Sequence, residues 1–543
     1  MSAQWLVLVG GEYHDYEAGG AALASVLTRA LGARAVVTDD VRAMNKERLR
    51  ACGGVLLYGQ GNRLNAAQTR ALDHAVRNDG KALVAVHSGC VFERNPTLFE
   101  LLGVRFTGHP PMGEFPVRIT DREVWLTQRL FDFRITDELY RVETAREGSR
   151  VLAAFAYQGR TYPAAFCREA GRGKVFYLAL GHDQRAWGHA TFRKLLGRGA
   201  RWAAGGAAPR PLGAAVVGYG GAFNMGKHHI EGMNRWPGYK PLAICDIAPD
   251  RQAQARLDYP KLDVVGSVGD LLKLSGIDLI VVITPHNAHT APALAALRAG
   301  KHVVIEKPMA TSADDCNAMI EAARERKVVV VPYHNRRYDG DFLTLRGLLQ
   351  AGAIGNVFQL EACHGGYGEP GAWWRSDKTI SGGIAFDWGA HYVDWITHLV
   401  PGRIAHVIGH FHKRVWHHVT NEDHAQIIVR FESGAVAEFQ DSTIAAAPKA
   451  RFRILGEKGA LLLEHGSEFA KVYAAVGGAM GREMQVRLRK GEWERYYAQL
   501  ADHLLLCEDP EITAEEGRRN IAIIEAAQES SAKGGVPVKV AYE

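Results

Sequence analysis

The stretch VVGYGGAFNMGKHHIEGMNRW, residues 216–236, carries glycines at a spacing that suits a phosphate ligand. A short apolar run, AAVVG, reads as a buried parallel strand entering a glycine-rich turn, and the turn opens a helix. Gly218 and Gly220 permit a tight turn and a close backbone approach to a pyrophosphate, whose charge meets the helix N-terminus. Gly221, Ala222 and Phe223 complete the turn. Asp246 ends the next strand, KPLAICDI, where a carboxylate accepts hydrogen bonds from adenosine ribose hydroxyls. Because Phe223 holds the usual third glycine position, an ordinary strand-to-helix turn is the competing reading, with Gly221 and Gly226 taking the packing role in a longer loop. The acidic Asp246 repels a 2′-phosphate and so favours NAD, while a basic neighbour would offset that repulsion and admit NADP.

Further along, IDLIVVITPHNAHTAPALAALRAGKHVVIEKPMA reads as strand, turn, helix and strand, with Thr284, Pro285 and His289 in the turn and Glu306-Lys307-Pro308 at the end. Such alternation predicts a parallel sheet whose C-terminal edge carries the chemistry. A lysine after a buried strand is ordinarily a surface residue, but Pro308 restricts the backbone around Lys307 and suits a side chain held in the cleft. In SGGIAFDWGAHYVDWI, Asp387 and His391 are four residues apart and share a face if the segment is helical. The carboxylate then either orients the imidazole or binds a substrate hydroxyl.

Oxidising a secondary alcohol removes a proton from oxygen as hydride leaves carbon, so a group titrating near neutrality must reach the hydroxyl. His391 is the expected general base, against the plainer reading of a satisfied core histidine. Lys307 is expected to hydrogen-bond the reacting oxygen and stabilise its developing charge. Nearby, Trp373 and Trp374 offer an aromatic platform for a sugar face, and Arg375 a fork of donors for hydroxyls or a carboxylate.

A chain of 543 residues, 47% hydrophobic, is long enough for two or three cores. The net charge of +6 is spread over 65 basic and 59 acidic residues without a long basic block, which argues against nucleic acid or a membrane surface as partner. Seven cysteines, at 52, 90, 167, 245, 316, 363 and 507, form no CxxC pair and suit a reducing compartment. The start, MSAQWLVLVGGEYHDY, has neither a basic n-region nor a long apolar run, so a cytoplasmic location is expected. The Ala, Gly and Pro run within ARWAAGGAAPRPLGAAVVGYG reads as a linker. It explains why the glycine turn comes so late: the turn opens a second unit. The expected domains are 1–204, a linker 205–212, an α/β dinucleotide-binding domain 213–335, and an α+β domain 336–543. In the last, NVFQLEACHG, IAHVIGHFHK, DHAQIIVRFESGAVAEFQDS, ARFRILGEKGALLLEHG and EMQVRLRKG predict an open, mostly antiparallel sheet packed on helices.

From about residue 213 to the C-terminus the chain resembles the glucose-fructose oxidoreductase, inositol dehydrogenase and MocA (Gfo/Idh/MocA) family of NAD(P)-dependent enzymes. The resemblance is carried by AGKHVVIEKPMA, NRRYDGDFLTLRGLLQAGAIGNV and SGGIAFDWGAHYVDWI. The altered glycine loop is the main departure from the family pattern. The resemblance implies a Rossmann domain, with Lys307, Asp387 and His391 lining the catalytic site beside the nicotinamide and His289 near its carboxamide end. It also implies a homo-oligomer, dimer or tetramer, formed through the open sheet.

The first 204 residues have their own alternation: WLVLVGG, a helix from Gly20, ARAVVTD, GGVLLYG, a helix from Asn65, and KALVAVHSG. This domain resembles the trehalose-utilisation (ThuA-like) proteins, on GGEYHDY, VAVHSGC, LLGVRFTGHP, FRITDELY and GKVFYLALGHDQRAW. The resemblance implies a flavodoxin-like fold related to class I glutamine amidotransferases. Amidotransferase chemistry needs G-x-C-x-G, and VHSGCVF does not supply it, so Cys90 is not the expected nucleophile. His14, His87, His109 and His182 recur after strand ends and in loops. They suit separate hydrogen-bonded roles first, then a sugar site on which they converge, and last a metal, which no short H-x-x-x-H or C-x-x-C spacing supports.

Two sugar-linked resemblances in one chain point to an NAD-dependent enzyme that oxidises a ring hydroxyl of a sugar or glycoside to a keto sugar. Two alternatives use the same residues. One is glycoside cleavage through transient oxidation, elimination, hydration and re-reduction with retained NAD. The other is a non-enzymatic sensor of sugar or NAD.

Overall fold

The computed structural model describes residues 4–60, 63–91, 95–144, 148–221, 223–476 and 479–543. The chain forms two compact units, one running up to Arg210 and including Ala501–Asp509, the other Pro211–Leu500 with Pro510–Glu543. The sequence reading assigned residues 501–509 to the C-terminal domain. They cluster with the first unit instead because Leu506 joins that unit's core and Asp502 and Glu508 neutralise its buried arginines.

In the first unit a nine-stranded sheet is built around five parallel strands, in the order Ala35–Thr38, Trp5–Gly10, Gly54–Gly59, Ala82–Val86 and Gly173–Leu178. The strands at 5–10, 54–59 and 82–86 are buried along their whole length, as expected where helices cover both faces. Beyond Gly173–Leu178 the sheet continues with four antiparallel strands. The first helix begins at Tyr16 and not at Gly20. Asp15 caps it by accepting from the Ala18 backbone N–H, and Gly19 and Gly20 then pack inside the helix against Trp187, Tyr58 and Val9.

The second unit begins with a six-stranded parallel sheet in the order Asp263–Val265, Tyr239–Cys245, Leu212–Val217, Leu279–Val282, His302–Ile305 and Val330–Pro332. With the strands numbered along the chain this is 3-2-1-4-5-6, the doubly wound order whose switch point lies at the carboxyl ends of the first and fourth strands. An eight-stranded sheet follows, antiparallel except where Val357–Gly365 runs parallel to Val436–Ser442. Its strand Phe469–Val476 was not foreseen from the sequence. FAKVYAAV lacks strict alternation, and pairing with Ala479–Arg487 makes it a strand. One core unites the inner side chains of this sheet with the helices Gly389–Leu399 and Ala514–Ala532, with Tyr392 stacked on Phe439 at 4.7 Å. No helix among the described residues is long and apolar enough to cross a membrane.

Candidate active site

The turn after Leu212–Val217 is shaped by Gly218. Its φ is +99°, and a Cβ there would lie 2.6 Å from the Ile283 carbonyl oxygen, so a side chain is excluded on both counts. Gly226, in the first turn of the helix Met225–Asn234, packs against the Gly218 carbonyl and Tyr219. It takes the close-packing role that Phe223 cannot. Ala222 lies outside the described residues. Asp246 closes the turn from the neighbouring strand, accepting from the Tyr219 N–H at 2.7 Å and the Ala248 N–H at 2.9 Å. Arg251 lies beside Gly220 and Gly221, on the helix that follows Asp246.

This turn opens onto a cavity of about 890 Å³ lined also by Thr284, Pro285, Lys307, Asp387 and His391. Strand ends far apart in sequence therefore meet at one place. Lys307 follows His302–Ile305, and its Nζ donates to Asp387 Oδ1 at 2.6 Å and to the Asp387 carbonyl at 3.2 Å. Arg375 reaches the other carboxylate oxygen at 3.1 Å. Burial alone would raise the Asp387 carboxyl, but the Lys307 ammonium and the Arg375 guanidinium hold it well below the usual carboxylate range.

Asp387 and His391 do not share one continuous helix. Asp387 ends the turn Ile384–Asp387, His391 lies in Gly389–Leu399, and Trp388 separates the two elements. The carboxylate serves Lys307 and Arg375 and not the imidazole. Burial first, then the positive charges of Lys307 and Arg336, push His391 well below its ordinary value, so the ring is neutral. Among the described residues its ring nitrogens make no protein hydrogen bond. The lowered value departs from the near-neutral titration expected of the base and makes the ring a weaker, already deprotonated acceptor, because burial and the neighbouring cations disfavour its charged form.

His289 is buried, with Nδ1 2.8 Å from the Pro308 carbonyl and Nε2 2.8 Å from the Thr284 carbonyl. It ties the two strand-end loops together. Glu306 pairs with His229 Nε2 at 3.1 Å and accepts from the Lys307 N–H at 2.9 Å, while His229 Nδ1 meets the Tyr497 hydroxyl at 2.6 Å. These contacts fix the backbone that carries Lys307. Arg375 stacks over Phe223 at 4.5 Å and Trp374 at 5.1 Å, and its buried Nε has no hydrogen-bond partner among the described residues. Trp374 lines the cavity; Trp373 does not, and packs against Phe223 at its edge.

The sequence reading missed His286, Arg336 and Trp388, all of which line the same cavity. His286 Nδ1 meets the Ser381 carbonyl at 2.9 Å, and Arg336 lies over Trp388 at 4.7 Å. A second histidine after one strand end, and paired arginines after the strand Val330–Pro332, were the available signals.

In the first unit Cys90 is buried, and burial pushes its thiol up to about 12, so no thiolate forms near neutrality. His14, His87 and His182 gather around Glu138, a residue that no spacing rule singled out.

A doubly wound sheet with a glycine turn, an aspartate closing that turn and a lysine–aspartate–histidine group in one cleft defines a nicotinamide-dinucleotide oxidoreductase. Residues 212–334 match the model of the oxidoreductase family with an NAD-binding Rossmann fold, residues 342–462 that of the GFO/IDH/MocA C-terminal domain, and residues 4–203 that of ThuA, trehalose utilisation. The chain belongs to the GFO/IDH/MocA family of NAD(P)-dependent oxidoreductases and carries a ThuA domain at its N-terminus. It is similar to scyllo-inositol 2-dehydrogenase (NADP(+)) IolW of Bacillus subtilis, 27% identical over 315 residues that cover 53% of this chain and 86% of that protein. It is 31% identical over 246 residues to the uncharacterized oxidoreductase YdgJ of Escherichia coli, covering 45% of this chain and 68% of that protein. Among solved structures, the NAD-binding protein from Listeria innocua aligns with a TM-score of 0.55 at 25% identity, over 61% of this chain and 97% of that one.

Proposed function

We propose that the protein oxidises a ring hydroxyl of a sugar or glycoside to a keto sugar, with NAD as oxidant. The observation that carries this reading is the placement of Lys307, paired with Asp387, in the same cavity as neutral His391 and the glycine turn. The turn around Gly218, where a side chain would strike the Ile283 carbonyl, suits a dinucleotide phosphate group, and Asp246, at the end of the neighbouring strand, would take the ribose hydroxyls. When bound, NAD supplies the acceptor for the hydride lost from the carbinol carbon. His391 takes the hydroxyl proton, and Lys307 holds the oxygen while charge develops on it. Asp387 keeps the ammonium in place, and Arg375 and Trp374 offer a donor and an apolar face to the remaining hydroxyls and ring.

A polyol substrate agrees with the name of the Bacillus subtilis relative, a scyllo-inositol dehydrogenase. We place the enzyme in the cytoplasm, as a homo-oligomer associating through the open eight-stranded sheet; a monomeric mass by light scattering would refute that association. The activity is tested by incubating the protein with NAD and a panel of pyranosides, disaccharides and inositols while following reduced-nicotinamide fluorescence. Stoichiometric NADH is the expected result. Silence across the panel overturns the reading, and sugar release with only catalytic NAD replaces it with glycoside cleavage.

A further inference from the structure

The first unit holds a second chemical centre. His14, His87, His182 and Glu138 each direct one ligand-type atom into a space where all four atoms lie within 4.8 Å of one another. His87 Nε2 is 3.3 Å and His182 Nδ1 3.1 Å from Glu138 Oε2. Four ligands held at about 2.1 Å from a tetrahedral ion are about 3.4 Å apart; the two separations to Glu138 match that spacing, and the others lie within reach of it, inside the 4.8 Å limit.

The residues around the cluster hold its members in place. The His87 ring is wholly buried, stacked on Tyr140 at 3.8 Å, and its Nδ1 lies 2.8 Å from the Ala179 carbonyl. Donation from Nδ1 leaves the Nε2 lone pair facing Glu138 Oε2, two acceptors that a shared cation would bridge. His87 also sits at φ +48°, an unfavourable backbone conformation for a side chain of this size. Among the described residues both nitrogens of His14 are buried without a hydrogen bond, and the Nδ1 of His182 faces the Glu138 carboxylate. Buried polar atoms with no partner are costly, and several lone pairs converging on one point call for a cation. Asp137 braces the site: its carboxylate accepts from the N–H groups of Gly181, His182 and Glu138 at 2.7, 3.1 and 2.8 Å, so one buried side chain fixes the backbone of two members.

The position in the fold agrees. His14, His87 and His182 follow the parallel strands Trp5–Gly10, Ala82–Val86 and Gly173–Leu178, at the carboxyl edge where open α/β sheets bind ligands. His14 and Glu138 form part of the wall of a cavity of about 1440 Å³, together with Tyr16, Arg63, His109 and Tyr140.

We propose that His14, His87, His182 and Glu138 bind a divalent transition-metal ion of the zinc type, with a further coordination position facing that cavity. Three imidazoles and one carboxylate suit zinc, cobalt or nickel better than the all-oxygen shells of calcium and magnesium. The absence of a short sequence spacing does not bear against the site, because four separate strand-end loops supply its ligands. An ion there would take water, or a hydroxyl or carbonyl oxygen of a ligand, at its open position.

The test uses the full-length chain, stripped with a chelator and titrated with Zn²⁺ alone and with Co²⁺ as a spectroscopic probe. The expected result is uptake of about one ion per chain, a visible cobalt spectrum with nitrogen ligation, and a metal-dependent rise in Tm of the kind mass action gives when a ligand binds only the folded state. Glu138→Gln and His182→Ala, checked for native circular dichroism, abolish stoichiometric uptake. Asp137→Asn, which touches no ion, weakens it by about 10- to 100-fold. The proposal is overturned if the stripped wild-type chain takes up no stoichiometric ion, or if folded Glu138→Gln and His182→Ala proteins bind as the wild type does.

Discussion

Lys307 and Asp387, 80 residues apart in the chain, meet through a 2.6 Å hydrogen bond from Nζ to Oδ1, and Nζ also reaches the Asp387 carbonyl oxygen. Two acceptors on one residue hold the ammonium at a defined point in the cavity, while Arg375 occupies the opposite carboxylate oxygen. Replacing Lys307 by Met removes the donor proposed for the reacting oxygen and leaves the glycine turn unchanged. The expected outcome is a fall in kcat of about 10²- to 10³-fold, the usual cost of losing one such donor, with NAD affinity by fluorescence titration nearly unchanged.

His391 is expected to behave as a base that is already unprotonated. Its value lies well below the ordinary imidazole one, and the deprotonated form is the active form, so activity falls only as pH drops through that lowered value. A kcat/KM profile should therefore be flat from pH 8 down through the ordinary imidazole range. An acidic limb centred near 6.5 would contradict the assignment. His391→Ala should lower kcat by about 10²- to 10⁴-fold.

His286 links acidity to stability. Burial first, then the nearby His289 and Lys307, lowers it from 6.5 to about 3. Between those values the unfolded chain takes up a proton that the native ring refuses, so stability falls as pH falls through this window. From pH 7.5 to 5.5 this one group removes about 1.4 kcal/mol, and His286→Gln should shrink the corresponding loss in urea-unfolding midpoint.

Cofactor choice turns on Asp246 and Arg251. On the proposed reading the carboxylate would disfavour a 2′-phosphate, while Arg251 stands beside the glycine turn on the next helix. The wild-type protein should prefer NAD. Asp246→Ser should move the ratio of kcat/KM values toward NADP by at least about tenfold, equivalent to about 1.4 kcal/mol, and a further Arg251→Ala should reverse that gain.

Asp502 binds the first unit from the far end of the sequence. Its carboxylate meets Arg129 and Arg198 at 2.6 Å each and Lys194 at 3.3 Å, with both arginines and the aspartate almost wholly buried. Asp502→Ala strands buried guanidinium charge and should cost about 3 to 5 kcal/mol, read as a lowered urea midpoint. A variant as stable as wild type would show that Glu508 compensates alone.

What the sequence determined by itself was the set of local periods and their punctuation. Uninterrupted apolar runs at 212–217, 279–282 and 302–305 read directly as buried parallel strands, and glycine, Asp246 and the Glu306-Lys307-Pro308 run marked the edge where chemistry collects, because these signals span only a few residues. What only the tertiary structure decided was which of those edge residues face one another. Four-residue spacing linked Asp387 to His391, yet a break at Trp388 and the charges of Lys307 and Arg375 gave the carboxylate other partners. The clustering of His14, His87 and His182 around Glu138, and the return of Asp502 to Arg129, were equally illegible. Each depends on separations of dozens to hundreds of residues that only chain folding closes, and a one-dimensional pattern records period and polarity but not which loops a sheet brings to the same edge.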